Sequence, residues 1–128
     1  MKHTLKSLNY SLTGLLHALT SERNLMKFLP IFGLVLILAA ILKITALEWC
    51  VLILAGGLFM ATELLNTALE RLVDTVHDLE QMRIGGTYHL GLKLTKDVAA
   101  GAALISFVTV IAVILIVLIP YLIPLLIR

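Results

Sequence analysis

Residues 98–127 read VAAGAALISFVTVIAVILIVLIPYLIPLLI and carry no charged side chain. A helix needs about 20 mainly apolar residues to cross the hydrocarbon core of a bilayer, and this run exceeds that length. Pro120 and Pro124 lie near its end and predict a kinked or interfacial terminus. The run therefore predicts a membrane span over residues 98–120.

Two further apolar runs precede this span. We predict that they cross the membrane over residues 28–46 and 47–65. The pair Gly56-Gly57 in the second run would permit close contact between helices. The composition is 60% hydrophobic with a mean hydropathy of +1.05, which is far more apolar than that of soluble proteins. We therefore predict an all-α membrane protein with one membrane-embedded domain over residues 1–128.

Residues 1–27 predict an amphipathic helix that lies on the membrane surface. An apolar stripe recurs at spacings of three and four: Leu5, Leu8, Leu12, Leu15, Leu16 and Leu19. Lys2 and Lys6 lie largely off this stripe, where they would face anionic head groups while the leucines enter the acyl boundary. The alternative is burial of the stripe against other helices.

The distribution of basic residues predicts how the chain is oriented. One group lies in the N-terminal segment and a second lies between the last two spans: Lys2, Lys6, Arg23 and Lys27, then Arg71, Arg83, Lys93 and Lys96. Lys and Arg accumulate in cytoplasmic segments. We therefore predict that the N-terminus and a helix–loop–helix over residues 66–97 lie in the cytoplasm, and that the C-terminus lies outside.

Polar residues cluster on the predicted cytoplasmic side. Glu63, Asn66, Glu70 and Asp74 follow one another at offsets of three and four, so they share one face of a helix. Glu63 lies at the predicted boundary of the bilayer, where a carboxylate is costly and therefore indicates function. On the next helix, basic side chains recur at offsets of four and three: His89, Lys93 and Lys96. Acids on one helix are thus expected to face bases on the next.

Several kinds of protein are compatible with this arrangement. In a phosphotransferase, the carboxylates would hold Mg²⁺, the lysines would neutralise phosphate oxygens, and one carboxylate would take a proton from a lipid hydroxyl. In a small oligomeric transporter or a structural subunit, the same groups would be an ion pathway, interhelical ion pairs or solvated charges. The chain contains no G-x-x-x-x-G-K-[ST] loop and no set of protein-kinase motifs. A nucleotide site would therefore depend on metal-bearing carboxylates and lysines.

Three parts of the chain resemble the prokaryotic diacylglycerol kinase and undecaprenol kinase family of small integral-membrane lipid kinases. They are Tyr10…Gly14 with Glu22-Arg23-Asn24, the run ELLNTALERLVD at residues 63–74, and Tyr88-His89 followed by KDVAAGA at residues 96–102. The resemblance covers almost the whole chain in order. It implies ATP-dependent phosphorylation of a membrane lipid alcohol by a homotrimer with shared active sites, in the bacterial cytoplasmic membrane.

The resemblance also implies roles for individual residues. Glu63 would bind the lipid hydroxyl and deprotonate it as the general base, with Asn66 assisting. Glu22 and Glu70 would hold Mg²⁺ on ATP. The nucleotide would be contacted by these two acids and by a further set: Tyr10, Tyr88, His89, Lys96 and Asp97. The expected partners are ATP, the lipid alcohol and the membrane, and no nucleic acid is expected to bind.

The sequence departs from the family pattern in one place. The connection at residues 75–87 is longer than usual, and Thr87 stands where glutamate is usual. We interpret this connection as a solvated surface loop, with Asp74 supporting its structure rather than the chemistry. The KDVAAGA string resembles the undecaprenol kinases more than the diacylglycerol kinases. Undecaprenol is therefore the expected substrate, and diacylglycerol is the alternative.

Overall fold

The computed structural model describes residues 2–84 and 89–127. All regular structure in these residues is helical: α1 (Lys2–Ser21), α2 (Arg23–Leu42), α3 (Ala46–Ile84) and α4 (Leu90–Leu126). In this part of the chain, α2, α4 and the portion of α3 up to Arg83 are long and apolar enough to cross a membrane. The predicted all-α class is confirmed, with one N-terminal helix before three candidate membrane spans.

Helix α1 carries most of its apolar stripe on the outside of the protomer. Leu8, Leu12 and Leu16 are each at least half exposed, whereas Ala18 near the end of the helix is buried. These leucines are therefore not packed against other helices of the chain. Their exposure favours the membrane interface as the surroundings of α1.

Helix α3 is longer than the span predicted within it. Its 39 residues correspond to about 58 Å at 1.5 Å per residue, against about 30 Å for the bilayer core. The prediction of a loop from residue 75 onward is wrong as far as Ile84, because that segment is helical. Residues 75–84 include strong helix formers such as Leu79, Glu80 and Gln81, and they include no glycine and no proline.

The turn between α2 and α3 is closed by hydrogen bonds at both of its ends. Lys43 adopts the left-handed conformation with φ of 54°, and its amide donates to the Ala40 carbonyl at 3.2 Å, which ends α2. The amide and hydroxyl of Thr45 both donate to the Glu48 carboxylate at 2.7 Å, which caps α3. Tyr121 of α4 donates to the same carboxylate at 2.8 Å. These contacts tie α4 to the turn, at the end of α3 remote from Glu63.

Phenylalanines connect α2, α3 and α4. Phe28 stacks on Phe32 along α2 with ring centroids 5.0 Å apart, and it meets Phe59 of α3 at 4.5 Å. Phe59 in turn meets Phe107 of α4 at 5.4 Å. Aromatic contacts of this kind stabilise packing beyond the area that they bury. They therefore position all three helices one turn of α3 away from Glu63.

Gly56 allows α2 to approach α3 closely. A Cβ added at Gly56 would overlap the Phe32 ring, whereas a Cβ added at Gly57 would meet no atom within 4 Å. We expect Gly56→Ala to lower the free energy of unfolding by about 1–3 kcal/mol, the usual cost of overpacking, and Gly57→Ala to change it little. Unfolding both variants by SDS titration measures the difference. Equal stability of the two variants would contradict this packing.

Candidate active site

Glu63 lies on the polar face of α3 and is almost entirely buried, with 5% of its surface exposed. Its Oε1 accepts a hydrogen bond from the side-chain amide of Asn24 at the beginning of α2. The other oxygen, Oε2, accepts no hydrogen bond from the described residues, and it is not fully buried. Glu63 therefore has one oxygen held by the protein and one oxygen available to a ligand.

Asn66 and Glu70 continue this face of α3. Asn66 donates from Nδ2 to Oε1 of Glu70 at 3.1 Å. Asn66 is 8% exposed, and its Oδ1 is fully buried without a hydrogen-bond partner among residues 2–84 and 89–127. An unpaired buried acceptor costs about 1–3 kcal/mol, so it indicates a missing donor or cation. The amide oxygen of Asn66 is thus a candidate ligand contact.

A cavity of about 550 Å³ lies between α2, α3 and α4, and Glu63 lines it. One end of the cavity is polar and carries Asn24, Lys27, Glu63, Asn66 and Glu70. The walls deeper along the helices are apolar: Phe28, Ile31, Phe32, Phe59, Leu104, Phe107, Ile111 and Ile114. Apolar walls with a few convergent polar groups are typical of small-molecule sites. This cavity therefore suits an amphiphile with a polar end and a long apolar chain.

Glu22 is held against the turn of α3 that carries Glu70. Arg71, the next residue along α3, donates to the Glu22 carboxylate at 2.7 Å and to the Ser21 hydroxyl at 2.9 Å. An ion pair this exposed contributes at most about 1 kcal/mol, so a ligand could displace it readily. Glu22 is not part of the cavity wall, but its ion pair links it to Arg71, the residue that follows Glu70 on α3.

The residues predicted to contact ATP are spread over α1 and α4. Tyr10 is 70% exposed on α1. His89 precedes α4 and caps it, its ring accepting a hydrogen bond from a backbone amide at 3.3 Å. Lys96 donates to Asp74 at 2.8 Å, so an acid of α3 faces a base of α4. Tyr88 lies outside the described residues, and the nucleotide roles of this set stay predictions.

Asp97 extends the α4 wall of the cavity toward its polar end. It precedes Ala100 by three positions and Leu104 by seven, and both of these residues line the cavity. Such offsets place residues on one helix face. Asp97 itself is exposed. It therefore lies on the stripe of α4 that leads out of the cavity.

Asn24 and Lys27 are site residues to which no role was assigned from the sequence. Each precedes an apolar residue of the cavity wall, Phe28 or Ile31, by four positions. That spacing puts both polar residues on the cavity face of α2. The signal was therefore present in the chain, but it becomes informative only once α2 is known to line a cavity.

The donor set of the site fits a magnesium ion shared with a nucleotide. No three acids, histidines or cysteines group as a metal site within the described ranges 2–84 and 89–127. Magnesium usually binds through one or two carboxylates together with substrate phosphates rather than in an all-protein cage. Glu22, Glu70 and the unpaired Oδ1 of Asn66 supply hard oxygen ligands of that kind.

Comparison with known proteins identifies similar chains. A diacylglycerol kinase of Synechocystis sp. is 36% identical over 110 residues, which cover 85% of this chain and 58% of that protein. The undecaprenol kinase of Bacillus subtilis is 34% identical over 98 residues, covering 76% of this chain and 72% of that protein. A diacylglycerol kinase of Helicobacter pylori is 32% identical over 107 residues, covering 84% of this chain and 77% of that protein.

A family model agrees with these relatives. The model of the prokaryotic diacylglycerol kinases matches residues 9–118, a range that includes the Asn24 end of α2, the polar face of α3 and the first turns of α4. The resemblance deduced from the sequence strings is thereby confirmed. The chain belongs to the prokaryotic diacylglycerol kinase family.

Proposed function

We propose that the protein is a lipid kinase that transfers the γ-phosphoryl group of ATP to the hydroxyl of a membrane lipid alcohol. The observation that carries this proposal is the position of Glu63, a buried carboxylate at the polar end of an otherwise apolar cavity. A lipid whose chain filled the apolar walls would bring its hydroxyl to that end. Family membership supports the same activity, since the matched relatives are named as kinases of diacylglycerol and undecaprenol.

Glu63 acts in this proposal as the general base. Its open Oε2 takes the hydroxyl proton while the lipid oxygen attacks the γ-phosphorus of ATP. The bond between this phosphorus and the bridging oxygen breaks, and that oxygen leaves with ADP. Lys27 lies at the same end of the cavity, where its ammonium group would neutralise the phosphate that the lipid acquires.

The nucleotide would lie on the polar side of Glu63. Glu22 and Glu70 would hold Mg²⁺, which neutralises charge on the phosphate oxygens when it is bound. Asn66 supports Glu70 through its Nδ2 hydrogen bond. Within this proposal, ATP is contacted by a further set of residues from α1, α4 and the segment before α4: Tyr10, Tyr88, His89, Lys96 and Asp97.

We propose undecaprenol as the lipid alcohol. Below the polar end, the cavity presents phenylalanine and aliphatic side chains and no polar group from the residues that line it. A polyisoprenol has a hydrocarbon chain directly below its hydroxyl, whereas diacylglycerol has two ester groups there that would lie unpaired against apolar walls. Diacylglycerol remains the alternative because the relatives from Synechocystis and Helicobacter pylori are named diacylglycerol kinases.

The orientation and assembly of the chain follow from the same proposal. The two groups of basic residues support an orientation with the N-terminus and the polar end of α3 in the cytoplasm, where ATP is present, and with the C-terminus outside. Tyr10 is exposed and does not line the cavity. In a homotrimer with shared sites, a neighbouring subunit would bring nucleotide ligands of this kind to the polar end.

The activity is tested by supplying the purified protein in mixed micelles with Mg-ATP and labelled γ-phosphate. Undecaprenol, diacylglycerol or no lipid is added in parallel reactions. We expect label in both lipids, with a higher kcat/KM for undecaprenol. A higher kcat/KM for diacylglycerol would reverse the substrate assignment. Absence of label from both lipids would overturn the kinase proposal and leave the transporter or structural subunit.

A further inference from the structure

We propose that Asn24 is a positioning residue that orients the carboxylate of Glu63 toward the lipid hydroxyl. This inference rests on the proposed function, in which Glu63 is the general base. Asn24 and Glu63 lie 39 positions apart in the chain and meet where α2 begins beside α3. The contact thus joins α3, which carries the base, to α2, which also lines the cavity.

The contact determines which oxygen of Glu63 is free. A glutamate side chain has several rotatable bonds, so burial alone does not select one orientation of its carboxylate. The Asn24 amide donates to Oε1, and the described residues leave Oε2 without a donor. The hydrogen bond turns Oε1 toward Asn24 of α2. Because Glu63 lines the cavity, the other oxygen is the one left for the lipid hydroxyl.

An amide suits this task better than other polar groups. Its Nδ2 donates a hydrogen bond to a carboxylate without adding a charge. An aspartate at position 24 would place a second acidic group against Glu63, and a lysine would form an ion pair that competes with the lipid hydroxyl for the carboxylate. The structure therefore assigns Asn24 a role that depends on an uncharged donor.

The packing of α2 does not depend on this hydrogen bond. Leu25 is fully buried and Phe28 is buried in the aromatic cluster. Arg71 holds the preceding residues Ser21 and Glu22 against α3. Removal of the Asn24 amide is thus expected to leave the packing of α2 unchanged. Its only expected effect is that the carboxylate of Glu63 loses its fixed orientation.

The first test compares Asn24→Ala with the matched control Gln81→Ala, which removes an exposed amide from the remote part of α3. Misplacement of a reacting group by about 1 Å can cost about 100-fold in rate. We expect Asn24→Ala to lower kcat by about 10- to 100-fold, with the KM values for Mg-ATP and lipid within about threefold of wild type. Gln81→Ala is expected to retain wild-type kinetics. An unchanged kcat for Asn24→Ala, or a rise in KM alone, would overturn the proposal.

The second test asks whether Asn24 acts through Glu63. Residues that act as a unit show strongly non-additive effects, so Asn24→Ala should cause no further loss of kcat in a Glu63→Gln background. Asn24→Asp should lower kcat at least as much as Asn24→Ala, because it adds an acid beside the base. A full additional loss in the double variant would show an action independent of Glu63 and overturn the assignment.

The third test separates this inference from the proposed function. The infrared carboxylate band of Glu63 is identified as the band lost in Glu63→Gln, and we expect it to shift in Asn24→Ala but not in Gln81→Ala. An unshifted band would overturn the positioning contact whatever the activity of the protein. If the band shifts in Asn24→Ala but the wild-type protein phosphorylates no lipid, the contact stands and the proposed function is overturned.

Discussion

Glu63→Gln is expected to lower the turnover of lipid phosphorylation by about 10²- to 10⁴-fold, the usual cost of removing a general base. Glutamine has almost the same shape as glutamate, and its oxygen can still accept the hydrogen bond from Asn24. The substitution therefore removes the proton acceptor and keeps the contact between α2 and α3. Steady-state kinetics with Mg-ATP and undecaprenol measure the loss.

The KM for Mg-ATP provides the internal control for this variant. Glu63 lies beside the apolar part of the cavity, one turn deeper along α3 than Asn66 and two turns deeper than Glu70. We therefore expect Glu63→Gln to bind Mg-ATP with nearly wild-type affinity. Activity close to that of wild type would show that another group accepts the proton and that the assigned base is wrong.

Glu70→Gln is expected to weaken binding of Mg-ATP by at least about tenfold. Loss of a partner that only supports a metal ligand typically costs about 10- to 100-fold in metal affinity, and Glu70 is proposed as a ligand itself. The change also replaces an anion beside Asn66 by a neutral amide, so the Asn66 contact at 3.1 Å loses its charge assistance. Titration of the variant with Mg-ATP and with ATP alone measures the effect.

The two variants test each other. Glu63→Gln should lower kcat and leave the affinity for Mg-ATP unchanged. Glu70→Gln should lower the affinity for Mg-ATP more strongly than the affinity for the lipid. Raising the magnesium concentration should partly restore the activity of Glu70→Gln, since mass action offsets a weaker site. Identical kinetic defects in both variants would contradict the division of roles along α3.

Arg71 gives the proposed metal site an additional feature. Its guanidinium forms an ion pair with Glu22, so the positive charge of Arg71 balances the negative charge of this carboxylate. The pair is partly exposed and therefore weak, and a divalent cation with a triphosphate would compete for both partners. The same contact links Glu22 to the residue that follows Glu70 on α3, which supports the proposal that both acids serve one nucleotide site.

The extent of the helices shows what a local pattern can miss. The apolar runs correctly indicated three candidate spans, and the leucine stripe correctly indicated a helix before them. The same patterns did not reveal that α3 continues to Ile84. The end of the span was predicted from where hydrophobicity falls. A helix continues as long as its backbone hydrogen bonds continue, and strong helix formers extend α3 beyond the apolar segment.

The sequence by itself determined the membrane character of the chain and the acidic face of α3. Both properties are local, because hydrophobic length and offsets of three and four are read along a single helix. The tertiary structure decided which groups meet: Asn24 with Glu63, Arg71 with Glu22, and Lys96 with Asp74. These pairs join residues on different helices, so they depend on the crossing and relative register of α2, α3 and α4. Close packing around Gly56 and the phenylalanines sets that geometry, and no periodicity within one helix specifies it.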